Sequence, residues 1–375
     1  MQWIWQSPEW PEFSWQMDEL APALRRIQQK SGLLLGKASL SPGDQLSLDA
    51  LLNNILASSA IEDERPDPRS VRSSLARHLG LQEDQPCPVS DRSEGLAEML
   101  LDALHNHHQP LTMDRLMQWH RWLFPASELT PFDRIRVGQL RGPEPMQVVS
   151  GRLDKPTVYY LAPPREGLEQ AVDAFVLWFN SSLSQAGCDP LIRAAVCHLW
   201  FVTLHPFDDG NGRITRTLTD MALAQAESQS VRLYAMSVAI LADRKGYYAA
   251  LNQAQRVYDD EAALDITPWL QWFMHTLESA VDHALTTIDR TLQKSRFWQQ
   301  NRDTPLSQEQ IKVLNRLLDG GEKGFEDGIS AGQYQKVAKV SKATATRHLA
   351  DLLAKGCLQK LPGGGRSTRY HLPDC

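Results

Sequence analysis

The chain has 375 residues, 42% of them hydrophobic and 22% charged, with a formal net charge of -6 at pH 7. This length is enough to bury more than one hydrophobic core, so we expect roughly two or three domains. The negative net charge argues against a chain that binds nucleic acid over its whole surface.

The sequence also predicts where the protein works. It has no run of about 18 apolar residues that would span a membrane, and its start lacks the basic and continuous apolar regions of a secretion signal. The five cysteines are scattered and have no CxxC spacing, which favours reduced thiols over disulfides or a zinc site. We therefore expect a cytoplasmic protein with no membrane partner.

Residues 1–90 are predicted to form a mainly helical N-terminal domain after an aromatic-rich opening. A helix predicted over residues 51–61 carries Ser58 and is followed directly by three acidic residues at 62–64. On their own, these carboxylates are typical of a solvated helix end. The tryptophans of the opening are predicted to be core or docking residues: Trp3, Trp5, Trp10 and Trp15.

A β-hairpin is predicted further along the chain. Residues 146–152 and 158–164 have the composition of short strands, and Gly, Asp and Pro lie between them. The pattern alone leaves open whether this is a plain surface hairpin or a functional one.

The most informative segment lies between two predicted helices. Residues 191–204 are an unbroken, mostly apolar stretch, and residues 214–226 have apolar side chains at roughly helical spacing. Between them runs His-Pro-Phe-Asp-Asp-Gly-Asn-Gly-Arg, residues 205–213, named here the signature loop. Its glycines let backbone N–H groups approach an anion closely, and the N-terminus of the following helix adds a favourable field. The loop therefore predicts a site for nucleotide phosphates.

The polar side chains of this segment suit the same chemistry. His205 is the natural general base, since the ordinary pKa of histidine leaves it largely neutral near pH 7. Asp209 suits a magnesium ion that bridges phosphate oxygens. Arg213 and Arg216 are three positions apart on a helix, so both can face the same phosphates. A helix–turn–helix corner with ordinary surface charges is the alternative.

The run H-P-F-D-D-G-N-G-R-I-T-R resembles the Fic-domain signature HxFx(D/E)GNGRxxR at every fixed position. The resemblance implies a mainly α, Fic-type helical bundle that transfers AMP from ATP onto a hydroxyl of a target protein, or of itself, at Ser, Thr or Tyr. ATP and Mg²⁺ are the implied cofactors. Carried over by position, the implied nucleotide-binding residues are Phe207, Asp208, Asp209, Gly210, Asn211, Gly212, Arg213 and Arg216.

The resemblance also implies a role for individual residues. His205 would deprotonate the attacking hydroxyl and Asp209 would bind the metal, while the Gly-Asn-Gly segment would form the anion hole. Arg213 would bind the inner phosphates and Arg216 the γ-phosphate. Such a transfer needs mainly positioning and charge stabilisation.

One class of Fic proteins carries an inhibitory motif, (S/T)xxxE(G/N), which Ser58 and Glu62 resemble. In that class the glutamate pairs with the second arginine of the signature, here Arg216, and takes the place that the γ-phosphate needs. This sequence has Asp63 where Gly or Asn is usual, which leaves the end of the helix and the strength of inhibition open.

Three further regions are similar to Fic proteins. The predicted hairpin matches the place of a β-hairpin flap that aligns the target by strand addition. Tyr248 and Gln255 lie in a region that borders the adenine in the family, although an aromatic residue in a helix also suits core packing. The opening of the chain is similar to an N-terminal domain in one branch of bacterial Fic proteins.

The C-terminal residues 305–375 predict a separate module. Three helices are predicted over residues 307–318, 329–340 and 342–355, followed by a two-stranded wing around Gly363-Gly364-Gly365-Arg366. This is similar to a winged helix-turn-helix domain. It has eleven Lys and Arg against seven Asp and Glu, a net charge of +4, which favours a DNA-facing module, although such domains also bind proteins. Its candidate DNA-binding residues are Lys342, Thr344, Thr346 and Arg347.

The domain division predicted from the sequence is therefore 1–90, 91–296 and 305–375, with a linker over residues 297–305. The predicted function is an adenylyltransferase that the Glu62–Arg216 pair inhibits. The alternatives are a nucleotide-sensing, DNA-binding transcriptional regulator and an enzyme that uses Glu62 to remove AMP from a protein. The candidate partners are ATP, a target protein, DNA through the C-terminal module, and a second copy of the chain.

Overall fold

The computed structural model describes residues 2–40, 43–83, 85–130, 134–152, 155–184, 188–227, 233–257, 263–320, 325, 328–362 and 368–373. The chain is mainly helical, as predicted. It divides into two compact units, one of Met1–Leu34 with Pro42–Ala284 and one of Leu35–Ser41 with Leu285–Cys375. Among the described residues, no helix combines the length and apolar composition that a bilayer-crossing segment requires.

Eleven helices are described up to residue 300, and the longest connection between them, from α5 to α6, contains a β-hairpin. In chain order they are α1 Met17–Ala38, α2 Gly43–Ile61, α3 Pro68–His78, α4 Asp91–His105, α5 Met113–Leu123, α6 Leu168–Ser181, α7 Pro190–Leu204, α8 Asn211–Glu227, α9 Met236–Ala242, α10 Arg244–Ala254 and α11 Thr267–Gln300. Single 3-10 turns occur at Ile4–Gln6, Ala126–Glu128 and Ser182–Ser184.

Three pairs of strands accompany the helices of the first unit. β1 (Gln2–Trp3) pairs antiparallel with β5 (Arg256–Val257), and β2 (Phe13–Ser14) pairs parallel with β6 (Leu264–Asp265). β3 (Gln147–Arg152) and β4 (Lys155–Leu161) pair antiparallel with an irregularity in register after Val148. A hairpin therefore lies where the sequence predicts one, although its second strand begins three residues earlier than expected.

Helices α7 and α8 form the centre of the first unit. Asp189 caps α7, since its Oδ1 accepts a hydrogen bond of 2.8 Å from the Leu191 N–H, and Pro190 occupies the first helical position. Every residue of α7 after Pro190 is buried, which explains its unbroken apolar sequence. Helix α8 begins at Asn211, three residues before the predicted start, so the last three residues of the signature loop already belong to it.

Helix α2 packs against this central pair through polar contacts as well as apolar ones. The Asn54 Nδ2 donates to Asp220 Oδ2 of α8 at 2.6 Å, and its Oδ1 accepts from the Ser237 N–H of α9 at 3.2 Å. All three residues are buried. Because buried amides need such partners, these bonds fix the position of α2 beside α8.

The aromatic residues at the start of the chain pack on the body of the first unit. The Trp5 Nε1 donates to the Leu161 carbonyl at the end of β4 at 2.8 Å. The Trp3 ring meets the Tyr160 ring edge-on with a centroid distance of 5.2 Å, and Trp10 contacts Trp200 at 6.2 Å. These side chains are packing residues, one of the two roles that the sequence predicts.

The second unit contains α12 (Gln308–Asp319), α13 (Ala331–Ala338) and α14 (Lys342–Ala354). Two short strands, β7 (Gln359–Lys360) and β8 (Tyr370–His371), pair antiparallel, and Ile329 forms a bridge to Tyr370. The predicted turn over residues 363–366 lies outside the described residues.

The predicted linker is wrong at its first residues. Helix α11 continues to Gln300, and Phe297 is fully buried in the core of the second unit beside residues such as Val313, Leu349 and Leu352. The residues around Phe297 are mostly polar, so a short sequence window does not show that this one aromatic side chain packs in a core. The predicted domain boundary at 90 lies inside the first unit and the boundary at 305 inside the second, so the three-domain division stays a prediction.

Candidate functional site

His205 occupies the junction between α7 and the signature loop. It is the C-cap of α7 and has left-handed backbone angles, φ 48° and ψ 57°. Its Nδ1 lies 3.2 Å from the Val202 carbonyl, so we assign the proton to Nδ1, which leaves Nε2 as the basic nitrogen. Burial lowers the pKa of His205, so the ring is neutral near pH 7. A neutral histidine with a basic nitrogen can accept a proton.

Arg141 supports the backbone of His205. Its Nε donates to the His205 carbonyl at 2.9 Å, and its Nη2 donates to the Pro163 carbonyl, after β4, at 2.5 Å. Its own N–H donates to the Pro206 carbonyl at 2.9 Å, and the side chain is 2% exposed. Sequence reasoning missed Arg141, since no local pattern indicates an arginine whose partners are distant carbonyls.

His120 of α5 supports the other side of the signature loop. Its Nδ1 accepts a bond of 2.9 Å from the Gly138 N–H, so the Nε2–H faces the Asp209 carbonyl at 3.3 Å. The ring stacks on Phe207 with a centroid distance of 4.4 Å. Burial lowers the pKa of His120 to about 4, which keeps the ring neutral and preserves this pattern of bonds. Sequence reasoning also missed His120, whose hydrogen-bond partners are backbone groups distant in the sequence.

Two side chains of the signature loop hydrogen-bond to backbone and shape the loop. Asn211 exchanges two bonds with the Phe207 backbone, at 2.9 Å from the N–H and 2.8 Å to the carbonyl. Asp208 accepts from the Arg136 N–H at 2.9 Å and from the Gly142 N–H at 3.3 Å. Both side chains already bond to backbone groups. They therefore contribute to a phosphate site by holding the shape of the loop.

The N-terminus of α8 offers an anion site. Gly210 has φ 81°, a left-handed conformation that favours glycine. A Cβ atom on Gly212 would lie 2.0 Å from Glu62 Oε1, so the Glu62 carboxylate lies directly over the first turn of α8. The predicted anion hole is therefore next to a carboxylate of the protein itself.

Asp209 is the residue of this loop that can bind a hard cation. Its side chain is 55% exposed, and its Oδ1 accepts from the Gly210 N–H at 2.5 Å and lies 3.4 Å from Arg213 Nη2. An accessible carboxylate beside an anion site fits Mg²⁺ that is shared with phosphate oxygens.

Arg216 is 2% exposed and has three contacts with the end of α2. Its Nε donates to Ser58 Oγ at 2.8 Å, and its Nη2 donates to the Ser58 carbonyl at 2.9 Å and to Glu62 Oε1 at 2.8 Å. The structure thus brings together Ser58, Glu62 and Arg216. The buried Arg216 Nη1 has no hydrogen-bond partner in the part of the chain that the structure describes.

The three acidic residues at 62–64, named here the acidic turn, each contact a different arginine. Besides the Glu62–Arg216 pair, Asp63 has a bidentate contact with Arg244, in which both N–O distances are 2.8 Å. The Glu64 Oε2 accepts from Arg213 Nη1 at 2.5 Å and also pairs with Arg92. The interpretation of this segment as a merely solvated helix end is therefore wrong.

Asp63 also explains how the chain leaves α2. Its φ of 61° is in the left-handed region, where Gly or Asn is usual and where Asp is tolerated better than most residues. Aspartate therefore takes this left-handed conformation and adds a charge. That charge pairs with Arg244.

The two residues predicted to border an adenine differ in how exposed their side chains are. Tyr248 on α10 is 37% exposed, contacts the Arg244 guanidinium at 5.6 Å, and its hydroxyl donates to the Ile61 carbonyl at 3.3 Å. Gln255 is 4% exposed and donates to Thr203 Oγ1 at 3.1 Å. Tyr248 has an accessible face, whereas the Gln255 amide is buried against α7.

The candidate DNA-binding residues all lie at the start of α14. Lys342, Thr346 and Arg347 are exposed, whereas Thr344 is half-buried. The Thr344 N–H donates to Ser341 Oγ at 3.1 Å in the helix cap. Between α13 and α14 the chain turns through three residues, and Lys339 has φ 57°.

Family models match two parts of the chain. Residues 110–223 match the model described as the Fic/DOC family, which includes the whole signature loop. Residues 3–81, which include α2 and the acidic turn, match a domain of unknown function (DUF4172). The predicted resemblance to Fic proteins is thereby confirmed.

Curated relatives are similar over parts of their length. Protein adenylyltransferase fic-1 of Caenorhabditis elegans is 27% identical over 193 residues, which cover 50% of this chain and 34% of that protein. Protein adenylyltransferase Fic of Nematostella vectensis is 33% identical over 131 residues, which cover 34% of this chain and 27% of that protein. The chain thus spans about a third or less of the length of these relatives.

Solved structures share the fold. A Fic family protein from Desulfovibrio desulfuricans matches with a TM-score of 0.50 at 18% identity over 94% of this chain and 97% of that chain. A Fic domain containing signaling protein from Bacteroides thetaiotaomicron matches with a TM-score of 0.52 at 19% identity over 72% of this chain and 97% of that chain.

Proposed function

We propose that this chain, which carries a Fic domain, is a protein adenylyltransferase that transfers AMP from ATP onto a Ser, Thr or Tyr hydroxyl of a target protein or of itself. One observation carries the proposal. A neutral histidine with a basic Nε2, an anion site at a helix N-terminus and two nearly fully buried arginines lie within twelve consecutive positions.

The reaction is a displacement at the α-phosphorus of ATP. The target oxygen forms a bond to this phosphorus as the bond to the bridging oxygen of the pyrophosphate breaks, and pyrophosphate leaves. His205 Nε2 takes the hydroxyl proton, which is favourable because burial keeps this ring neutral. Arg141 holds the His205 carbonyl and therefore fixes where the ring is presented.

The phosphates are bound by α8 and its arginines. The first N–H groups of α8 face the phosphates, Arg213 binds the inner phosphates, and Arg216 binds the γ-phosphate. Asp209 would hold Mg²⁺, which neutralises charge on the phosphate oxygens when bound. The Asn211 and Asp208 contacts keep the loop in shape before the nucleotide arrives.

Glu62 inhibits this reaction by occupying Arg216. The carboxylate lies 2.8 Å from Arg216 Nη2 and over Gly212, so it takes a position that a γ-phosphate needs. Without that phosphate contact, ATP lies with its α-phosphorus out of line with the attacking oxygen. Tyr248 offers its exposed face to the adenine, and the β3–β4 hairpin receives the target segment by strand addition.

The test is incorporation of label from α-phosphate-labelled ATP with Mg²⁺ in a cell lysate. We expect label to rise with Glu62→Gly and to vanish with His205→Ala, while His108→Ala, which changes an exposed histidine, leaves it unchanged. An unchanged rate with Glu62→Gly would refute autoinhibition. No label with any variant would favour AMP removal or a nucleotide-sensing regulator instead.

The C-terminal unit supports a second candidate role, in which a winged helix-turn-helix binds DNA. Three observations favour it: a three-residue turn between α13 and α14, a short antiparallel strand pair after α14, and exposed cationic residues Lys342 and Arg347. Fluorescence anisotropy with a random DNA duplex tests this role. We expect the salt dependence of binding to weaken in Lys342→Ala and Arg347→Ala, and no binding at low salt would exclude it.

A further inference from the structure

We propose that Glu64 is a second inhibitory carboxylate, which occupies Arg213 as Glu62 occupies Arg216. The proposal rests on the function argued above, in which Arg213 binds the inner phosphates of the nucleotide. It implies that the acidic turn excludes the diphosphate part of a nucleotide as well as its γ-phosphate.

The Glu64–Arg213 contact is short and largely removed from solvent. Arg213 is 1% exposed, and its Nη1 donates to Glu64 Oε2 at 2.5 Å. The other carboxylate on Arg213 is Asp209, at 3.4 Å from Nη2, and the buried Arg213 Nε has no hydrogen-bond partner among the described residues. Glu64 is therefore the nearest anion on a guanidinium with unused donor capacity.

A second cation draws Glu64 to this position. Arg92 of α4 contacts the same Oε2 atom from a partly exposed site. The Glu64 carboxylate thus lies between two guanidinium groups, as a phosphate would. A nucleotide that binds Arg213 must replace Glu64 there or share Arg213 with it.

The two carboxylates lie on one compact turn, so they leave together. The Glu62 and Glu64 N–H groups both donate to the Ser59 carbonyl at 3.0 Å, and the Asp63 N–H donates to the Ala60 carbonyl at 3.1 Å. Removal of the Glu62 side chain alone leaves this turn, and Glu64 on it, in place. Substitution at Glu62 is therefore expected to give only part of the activation that the chain can reach.

The two contacts predict different dependence on the number of phosphates. Glu62 faces the arginine for the γ-phosphate, so Glu62→Gln should raise the affinity for ATP and leave that for ADP unchanged. Glu64 faces the arginine for the inner phosphates, so Glu64→Gln should raise the affinity for both. Neither should change the affinity for adenosine, which has no phosphate.

The test is isothermal titration of ADP, ATP and adenosine, with Mg²⁺, into the full chain carrying His205→Ala, which prevents turnover. The variants are Glu62→Gln, Glu64→Gln and the control Glu278→Gln, whose carboxylate also lies between two cations, Arg26 and Lys30. We expect Glu64→Gln to raise ADP affinity about tenfold, from the loss of a charge-assisted competitor. The control should have the affinity of its parent.

Three results would overturn the proposal. Unchanged ADP affinity with Glu64→Gln would mean that Glu64 does not compete, and a lower affinity would mean that it orients Arg213 for the nucleotide. Absence of ADP binding in every variant would remove its basis. Because binding is measured without transfer, a rise in ADP affinity without any labelling activity would support this inference and reject the adenylyltransferase.

Discussion

Asp63 provides the sharpest single test of how the acidic turn is held. Asp63→Asn removes the charge that pairs with Arg244 but keeps a residue that tolerates the φ of 61°. The substitution therefore isolates the ion pair from backbone strain. If the pair stabilises the inhibited conformation, its loss should raise the rate of AMP transfer.

The expected effect is small, because the pair is largely solvated. The side chain of Asp63 is 78% exposed and that of Arg244 is 34% exposed. Because solvent screens such exposed pairs, we expect the inhibited population to change by about fivefold at most. The effect of removing Glu62 should be larger, because its partner Arg216 is 3% exposed on the side chain.

The assay is the initial rate of labelling from α-phosphate-labelled ATP at low and high salt. Wild type should approach the Asp63→Asn rate as salt screens the exposed pair, whereas the variant should respond less. The control Asp63→Gly also removes the charge but relieves the left-handed strain, so it should match Asp63→Asn in salt response. A rate for Asp63→Asn equal to wild type at low salt would refute a role for the Asp63–Arg244 pair.

Three further predictions concern groups that support the site. Arg141→Lys should lower the transfer rate at least about tenfold and leave the ADP affinity unchanged, because an ammonium cannot bridge the carbonyls of His205 and Pro163. Weaker ADP binding in titrations would contradict this positioning role. The transfer rate of a Glu62→Gly enzyme should be flat from pH 7 to 8 and fall below pH 6.5, since burial lowers the pKa of His205; a fall that begins above pH 7 in rate profiles would contradict it. The Tm should fall as pH drops from about 6.5 towards 4, because burial lowers the pKa of His120 to about 4 and the unfolded chain takes up the proton first. His120→Gln should flatten this pH dependence of Tm. An unchanged pH dependence in that variant would assign it to other groups.

Features that depend on residues close together in the sequence could be predicted, whereas features that depend on distant residues could not. Helix α7 was predicted almost to the residue because its unbroken apolar run is a local signal. Arg141 and His120 were not predicted, because their partners are backbone groups that only the tertiary fold brings near.

In the proposed mechanism, the acidic turn links inhibition to stability. Arg213 and Arg216 are nearly fully buried, and a buried guanidinium without a counter-charge is costly. Before a nucleotide binds, Glu64 and Glu62 provide that counter-charge at 2.5 and 2.8 Å. In the proposed mechanism, the contacts that exclude phosphates therefore also stabilise the folded phosphate site. Activation must then exchange each carboxylate for another anion, because its simple departure would leave the arginine buried and unpaired. A nucleotide polyphosphate supplies both replacements at once, so the chemistry that the turn blocks is also the chemistry best suited to displace it.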